Sequence, residues 1–232
     1  MLVIALPLAG SASLPASRCE NGDRVCKEFE QLTEEQQPEK IIKQYEAGTG
    51  AELSAGSRFY IGGAYLALAS GDNVSPEQEE SYYWKALRLD YSIAYMGLYF
   101  FHVQKDEEKA LGFLREYVKT KPEDTVPYVI LGEADLNRHN YESADRYLRE
   151  AKRVARAYSP RVDWLLFQAN YLLKNYQFAS EMFASAVTKG KFESEISALL
   201  MDSRFKGIEK LPEFQGLQKV LKVANSDKAY TK

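Results

Sequence analysis

A small residue recurs at a fixed interval along this chain, and that interval constrains the fold more than any other feature. Gly62, Gly97 and Gly132 each follow an apolar residue and stand 35 residues apart; the next step falls on Phe167, after Leu166. A second series, Ala110, Ala144 and Ala179, runs about twelve residues behind the first. A third holds Ala86, Ala151 and Ala186, with the bulky Tyr83, Leu148 and Phe183 between the alanines. Turn signals fall between the segments at Ser70-Gly71-Asp72-Asn73, Lys105-Asp106, Arg138-His139-Asn140 and Lys174-Asn175. Pro122 and Pro160 lie between repeats, where a helix must end. A period of this length is one unit of two antiparallel helices joined by a tight turn. Gly and Ala sit where the helices approach most closely, and the large side chains fill the space beside them. One pair cannot bury its apolar face, but stacked pairs share a continuous core.

These residues resemble the tetratricopeptide repeat family. Leu131-Gly132, Tyr141-Glu142-Ser143-Ala144, Leu148 and Ala151 match it best, and Lys174-Asn175-Tyr176, Ala179, Phe183 and Ala186 nearly as well. The repeat at Met96-Gly97 continues through Phe100, Asp106, Ala110 and Leu114 to Lys121-Pro122. The first repeat, with Ile61-Gly62, Tyr65, Gly71, Val74 and Tyr83-Trp84-Lys85-Ala86, is also similar to the longer Sel-type repeat, with about five extra residues around Asp72–Gln78. The resemblance implies an all-α fold, a right-handed α-solenoid of antiparallel helix pairs. Four repeats would occupy 56–190, after an N-terminal cysteine loop and helical flank at 13–55 and before capping helices at 191–222 and a tail at 223–232. Two departures bear on packing: Phe167 replaces the usual Gly, which predicts looser or shifted packing of the fourth pair, and the helix after Ala151 is expected to run to about Ala157. The flank includes a helix from Pro38 that closes at Gly48, Pro being suited to a helix start. Ser194–Met201 reads as a further helix, and Phe205 and Phe214 belong to a tail that caps the last pair.

Met1–Leu14 contains no charged residue, and its apolar stretch of about ten residues is too short to span a bilayer. It reads as a secretory leader, 1–12, cleaved after Ala12, although no Lys or Arg precedes the apolar run. Arg18 before Cys19 excludes lipoprotein processing. Cys19 and Cys26 bracket Asn21-Gly22, a strong turn signal. Seven residues apart on a helix they would stand about 10 Å apart, too far to bond, whereas a turn brings them together. In an oxidising compartment they pair. The expected location is therefore the bacterial periplasm, with the cytoplasm and two free thiols as the alternative.

The net charge is −3 and no basic stripe is present, so nucleic acid is excluded as a partner. No phosphate loop, metal-binding helix motif or nucleophile elbow occurs, and neither a cofactor nor a metal is expected. His102 and His139 read as surface histidines, and Glu77–Glu80 as a solvated helix start favoured by the helix dipole. In this family the first helices of successive repeats line a concave groove. The helical stripe next to each glycine gives Phe59 and Leu66, then Tyr91, Leu98 and Phe101. The third repeat gives Val126, Val129, Glu133 and Leu136, and the fourth gives Arg161, Trp164, Gln168 and Tyr171. These side chains lack the Lys/Asn/Arg set with which some relatives clamp a C-terminal carboxylate. They point to a segment of another protein, with Phe101, Trp164 and Tyr171 as anchors. The N-terminal helix at about 27–47 is the competing occupant. Two other functions stand beside the scaffold: a structural subunit of an envelope assembly, and a Sel-type hydrolase-like activity starting from Glu133. N-terminal sequencing of protein from its native host should find residue 13 first; a retained Met1 contradicts the leader.

Overall fold

The computed structural model describes residues 18–20, 22–48, 53–190, 192–208 and 214. The described residues form eleven α-helices and no strand. They are α1 (Arg24–Glu34), α2 (Pro38–Ala47), α3 (Ala55–Ala69), α4 (Pro76–Leu87), α5 (Ala94–His102) and α6 (Glu107–Thr120). Then come α7 (Thr125–Asn137), α8 (Tyr141–Val154), α9 (Pro160–Leu172), α10 (Tyr176–Lys189) and α11 (Glu193–Met201), followed by a 3₁₀ turn at Ser203–Phe205. The chain divides into two compact units, Met1–Phe113 and Leu114–Lys232, with the break inside α6. The leader read at 1–12 and the tail read at 223–232 lie outside the described residues.

Local chemistry sets the helix ends. Ser54, Ser75, Asp124 and Ser159 each cap a helix through a side-chain oxygen, and Ser75 with Gln78 completes a reciprocal capping box. Pro76 and Pro160 start α4 and α9, where a missing N–H costs nothing. Among the described residues, Gln36, Asp90, His139 and Lys174 take a positive φ without being glycine, and each follows a helix C-terminus. His139 and Lys174 close α7 and α9 in the same way: the next N–H, of Asn140 or Asn175, reaches back to the carbonyl of Asp135 or Asn170 at 2.8 Å. The helix after Ala151 ends at Val154, short of Ala157, and the Ala155 N–H closes it on the Ala151 carbonyl.

In the first unit, α1 and α2 are two helices, separated at the left-handed Gln36. Phe29, Ile41 and Ile42 pack with Ile61, Ala64 and Tyr65 of α3 and with Tyr83 and Ala86 of α4. Ile61 and Tyr65 lie on the side of α3 opposite Phe59, Gly63 and Leu66. The N-terminal segment therefore adds a helix pair beside the first repeat instead of filling the face that carries Phe59. The hydroxyls of Tyr60 and Tyr65 donate to Glu30 and Glu46 at 2.6 and 3.3 Å across this contact. Burial, then the hydrogen bond to Glu30, push the Tyr60 hydroxyl up to about 12.

In the second unit, α7 packs on α8, α8 on α9 and α9 on α10, and α7 also touches α9. Ala144, Leu148 and Ala151 are fully buried with Val162, Leu165, Leu166 and Ala169. Phe167 does not loosen the fourth pair. It is fully buried, its ring 5.1 Å from Phe183 and 5.8 Å from Phe214. The chain after α10 brings Phe192, Ile196, Phe205, Ile208 and Phe214 against it, so the ring that replaces the periodic glycine is packed by the cap.

The periodic glycines are close approaches, but not to one kind of partner. A Cβ on Gly62 would run into Tyr91, one on Gly97 into the Tyr83 ring, and one on Gly132 would lie 2.6 Å from Leu148 Cγ. Even a methyl group cannot enter without a shift. Gly97→Ala and Gly132→Ala should each destabilise by about 1–3 kcal/mol, through overpacking, in urea denaturation. Unchanged midpoints in both variants would refute these contacts.

Candidate functional site

The stripe read for the first helices divides by burial, and Tyr91 lies ahead of α5 rather than on it. In the first unit Phe59, Leu66, Tyr91 and Phe101 are half-buried, whereas Leu98 is fully buried in the core. In the second unit Val129, Glu133 and Gln168 are half-buried and Arg161 is exposed. Leu136, Trp164 and Tyr171 are buried. Val126, on the same stripe, is 53% exposed.

Leu98, Leu136, Trp164 and Tyr171 are therefore packing residues of the free chain, not surface anchors. Trp164 stacks on Phe192 with centroids 5.0 Å apart, and Tyr171 lies 5.1 Å from the Phe205 ring and 5.9 Å from Phe214. The aromatic cluster that caps α9 and α10 covers them. Leu98 and Leu136 point into the helix contacts of their own units.

The residues left on the surface form two sets. In the first unit the Phe59 ring lies 5.3 Å from Tyr91 and 5.4 Å from Tyr60, and the Arg18 guanidinium stands 4.0 Å above it. Phe101 carries the Lys105 ammonium at 4.2 Å. In the second unit Arg161 of α9 donates to the carboxylate of Glu133 of α7. That pair joins two first helices across their direct contact, with Val126 and Val129 on α7 and Gln168 on α9.

The disulfide reading holds. Cys19 and Cys26 are bonded, with Cα atoms 5.5 Å apart. The turn works because Gly22 takes a positive φ and Asp23 caps α1, its carboxylate accepting the Cys26 N–H at 2.9 Å. A hydrogen bond from Ser54, then the Cys26 N–H, hold the Asp23 carboxyl below its usual range.

Three buried polar groups were not legible as such. His102 is 7% exposed rather than on the surface; its Nε2 lies 2.9 Å from Glu80, its ring stacks on Phe113, and Lys109 meets the same carboxylate at 3.6 Å. Glu80 thus belongs to a packed pair and not to a solvated helix start. Burial works against its charge, but hydrogen bonds from His102 and Trp84, with the Lys109 ammonium nearby, hold its carboxyl below the usual range. His139 is exposed and bonded to the Tyr141 hydroxyl. Asp163, 1% exposed, accepts from Lys152 and from the Ser185 hydroxyl, both at 2.6 Å, while Tyr158 donates to the Ser185 carbonyl at 2.8 Å. Asn170 donates to Asp145 at 2.6 Å and to the Leu166 carbonyl at 2.9 Å, and accepts from Asn175 at 3.1 Å. The acidic residue inside the apolar run Val162–Phe167 was the one sequence signal for the Asp163 cluster. The serine and carboxylates in them are held by neighbouring cations, amides and hydroxyls, which makes them latches between helices. Among the described residues, no group of three or more His, Cys, Asp or Glu is placed to hold a metal, and no helix is long and apolar enough to cross a membrane.

No family model matches the chain, and no curated protein matches it. Among solved structures it is similar to a chain in the crystal structure of the APC/C hetero-tetramer Cut9-Hcn1. That match has 16% identity and a TM-score of 0.40, and covers 73% of this chain and 34% of the other, so this chain spans about a third of its length.

Asp163→Ala would remove the buried carboxylate on which the exposed Lys152 and the half-buried Ser185 converge. The loss should be about 1–3 kcal/mol of unfolding free energy in urea, from the hydrogen bonds to a charged group that disappear. Wild-type stability in the variant would show that the latch contributes nothing.

Proposed function

We propose that the chain is a protein-interaction scaffold of the tetratricopeptide-like kind, holding a segment of another protein against the first helices of its pairs. The observation that carries this reading is the contact of α7 with α9, bridged at the surface by Glu133 and Arg161 beside the exposed Val126. In the second unit α7 and α9, lying side by side, offer a contiguous surface of mixed apolar and charged character, and exposed apolar patches mark interaction sites. The contact residues are Phe59, Leu66, Tyr91 and Phe101 in the first unit and Val126, Val129, Glu133, Arg161 and Gln168 in the second. Leu98, Leu136, Trp164 and Tyr171 support that surface from behind. The Sel-like character of the first repeat and a right-handed superhelical sense belong to this reading, through the family resemblance. The Cys19–Cys26 bond supports an oxidising setting, and with the leader-like 1–12 segment an exported protein. Glu133 is engaged by Arg161, which favours a scaffold over a hydrolase built on that carboxylate.

Photoreactive residues at Phe101 and Val129, irradiated in extract of the native host, test the assignment. Both should capture protein that a control probe at the exposed Arg146 on α8 does not. Phe101→Ala should then weaken binding of the captured partner by about 2 kcal/mol or more, with helical circular dichroism unchanged. Capture that is absent, or equal at Arg146, would overturn the scaffold reading.

A further inference from the structure

We propose that the Cys19–Cys26 disulfide is a redox clasp over the first repeat: oxidised, it holds Arg18 on Phe59, and reduction by a dithiol releases residues 18–20 and uncovers that face. The inference rests on the scaffold reading, since Phe59 and Tyr91 are among its contact residues, and it adds their regulation. A Cβ on Gly56 would lie 2.6 Å from the Arg18 carbonyl oxygen and 2.6 Å from Cys26 Sγ. The Arg18 backbone and the disulfide are thus seated on a bare turn of α3, one helical turn before Phe59. From that seat the Arg18 guanidinium reaches 4.0 Å above the Phe59 ring, a cation–π contact that a partner's side chain would have to displace.

The rest of α1 does not depend on the bond. Asp23 caps the helix through the Cys26 N–H and is itself hydrogen-bonded by Ser54 before α3. Phe29 is buried with Ile61 and Tyr65. Opening the disulfide therefore frees the segment before the cap and leaves the helix pair in place.

The chemistry has a direction. Cys26 is fully buried while Cys19 is partly exposed, so an incoming thiolate reaches the Cys19 sulfur. Its attack forms a mixed disulfide with Cys19 and breaks the bond to Cys26, which leaves as a thiolate in the first turn of α1 and then takes a proton. The reductant's second thiol resolves the mixed disulfide, Cys19 is released as a thiol, and the reductant departs as its own disulfide. Two electrons pass from the dithiol to the chain.

The test uses the full chain, oxidised or reduced with excess dithiothreitol, carrying 4-fluorophenylalanine at position 59. Reduction should speed tryptic cleavage after Arg18 by on the order of tenfold or more, as expected when a short closed loop is released. Cleavage after the exposed Lys174 and the helical circular dichroism should not change. The fluorine resonance should move on reduction, and Arg18→Ala in the oxidised chain should move it the same way. An unchanged resonance, unchanged cleavage after Arg18, or loss of helix on reduction would overturn the clasp, the last by making the bond a staple for the whole unit. None of these readouts needs a partner, so failure of the clasp is distinct from failure of the scaffold reading, whose sign is absent capture at Phe101 and Val129.

Discussion

The fold depends on places where one helix presents bare backbone and its neighbour presents a bulky side chain. Gly97 faces the Tyr83 ring and Gly132 faces Leu148, at distances no Cβ tolerates. Such contacts let helix axes approach closely, and the fully buried Ala86, Ala144, Ala151, Ala179 and Ala186 extend the same economy of volume along the second helices. Interiors are packed like crystals, so these small residues set the spacing at which larger ones fit. The spacing places first helices near each other, as α7 is to α9, and so creates a surface on which Glu133 can meet Arg161.

Polar groups buried between helices refine that packing. Asp163, Asn170 and His102 each bridge elements that apolar contacts alone would hold in less definite register. A buried polar group with all partners present contributes little net energy, but a misplaced helix would strand it at a cost of about 1–3 kcal/mol. The His102–Glu80 pair ties α5 to α4. The Asp163 and Asn170 networks tie α9 to α8 and to the segments on either side of it. They act on uniqueness more than on total stability.

Much of this was legible in the sequence, because the features that carry it are periodic or local. The glycine and alanine series marked the helix pairs, Ser and Pro marked helix starts, and Asn-Gly between two cysteines marked the turn that joins them. The exposed side of each first helix was less legible. A first helix here has neighbours on several sides, so its apolar residues wrap most of its circumference, and periodicity cannot tell a packed ring from an exposed one. Trp164 and Tyr171 went inside because residues beyond position 190 fold back on them, a contact with no local signature. Leu98 and Leu136 went inside with the cores of their own units. His102 was misread for the opposite reason: its partner Glu80 stands on another helix, and sequence alone supplies no distance between them. Phe167 shows the same limit, since its bulk is tolerated only where Phe205 and Phe214 arrive to share the space.

The central physical claim is that the periodic small residues are contact points between helices, each matched to a particular bulky partner. A double-mutant cycle on Gly132→Ala and Leu148→Ala tests this most directly, by urea denaturation of the four proteins. Shortening Leu148 removes the atoms that a Gly132 methyl group would strike. The account predicts that the Gly132→Ala penalty shrinks or vanishes in the Leu148→Ala background, with a coupling of about 0.5–3 kcal/mol. Penalties that simply add would contradict it, and the period would then mark something other than the contact that builds the fold.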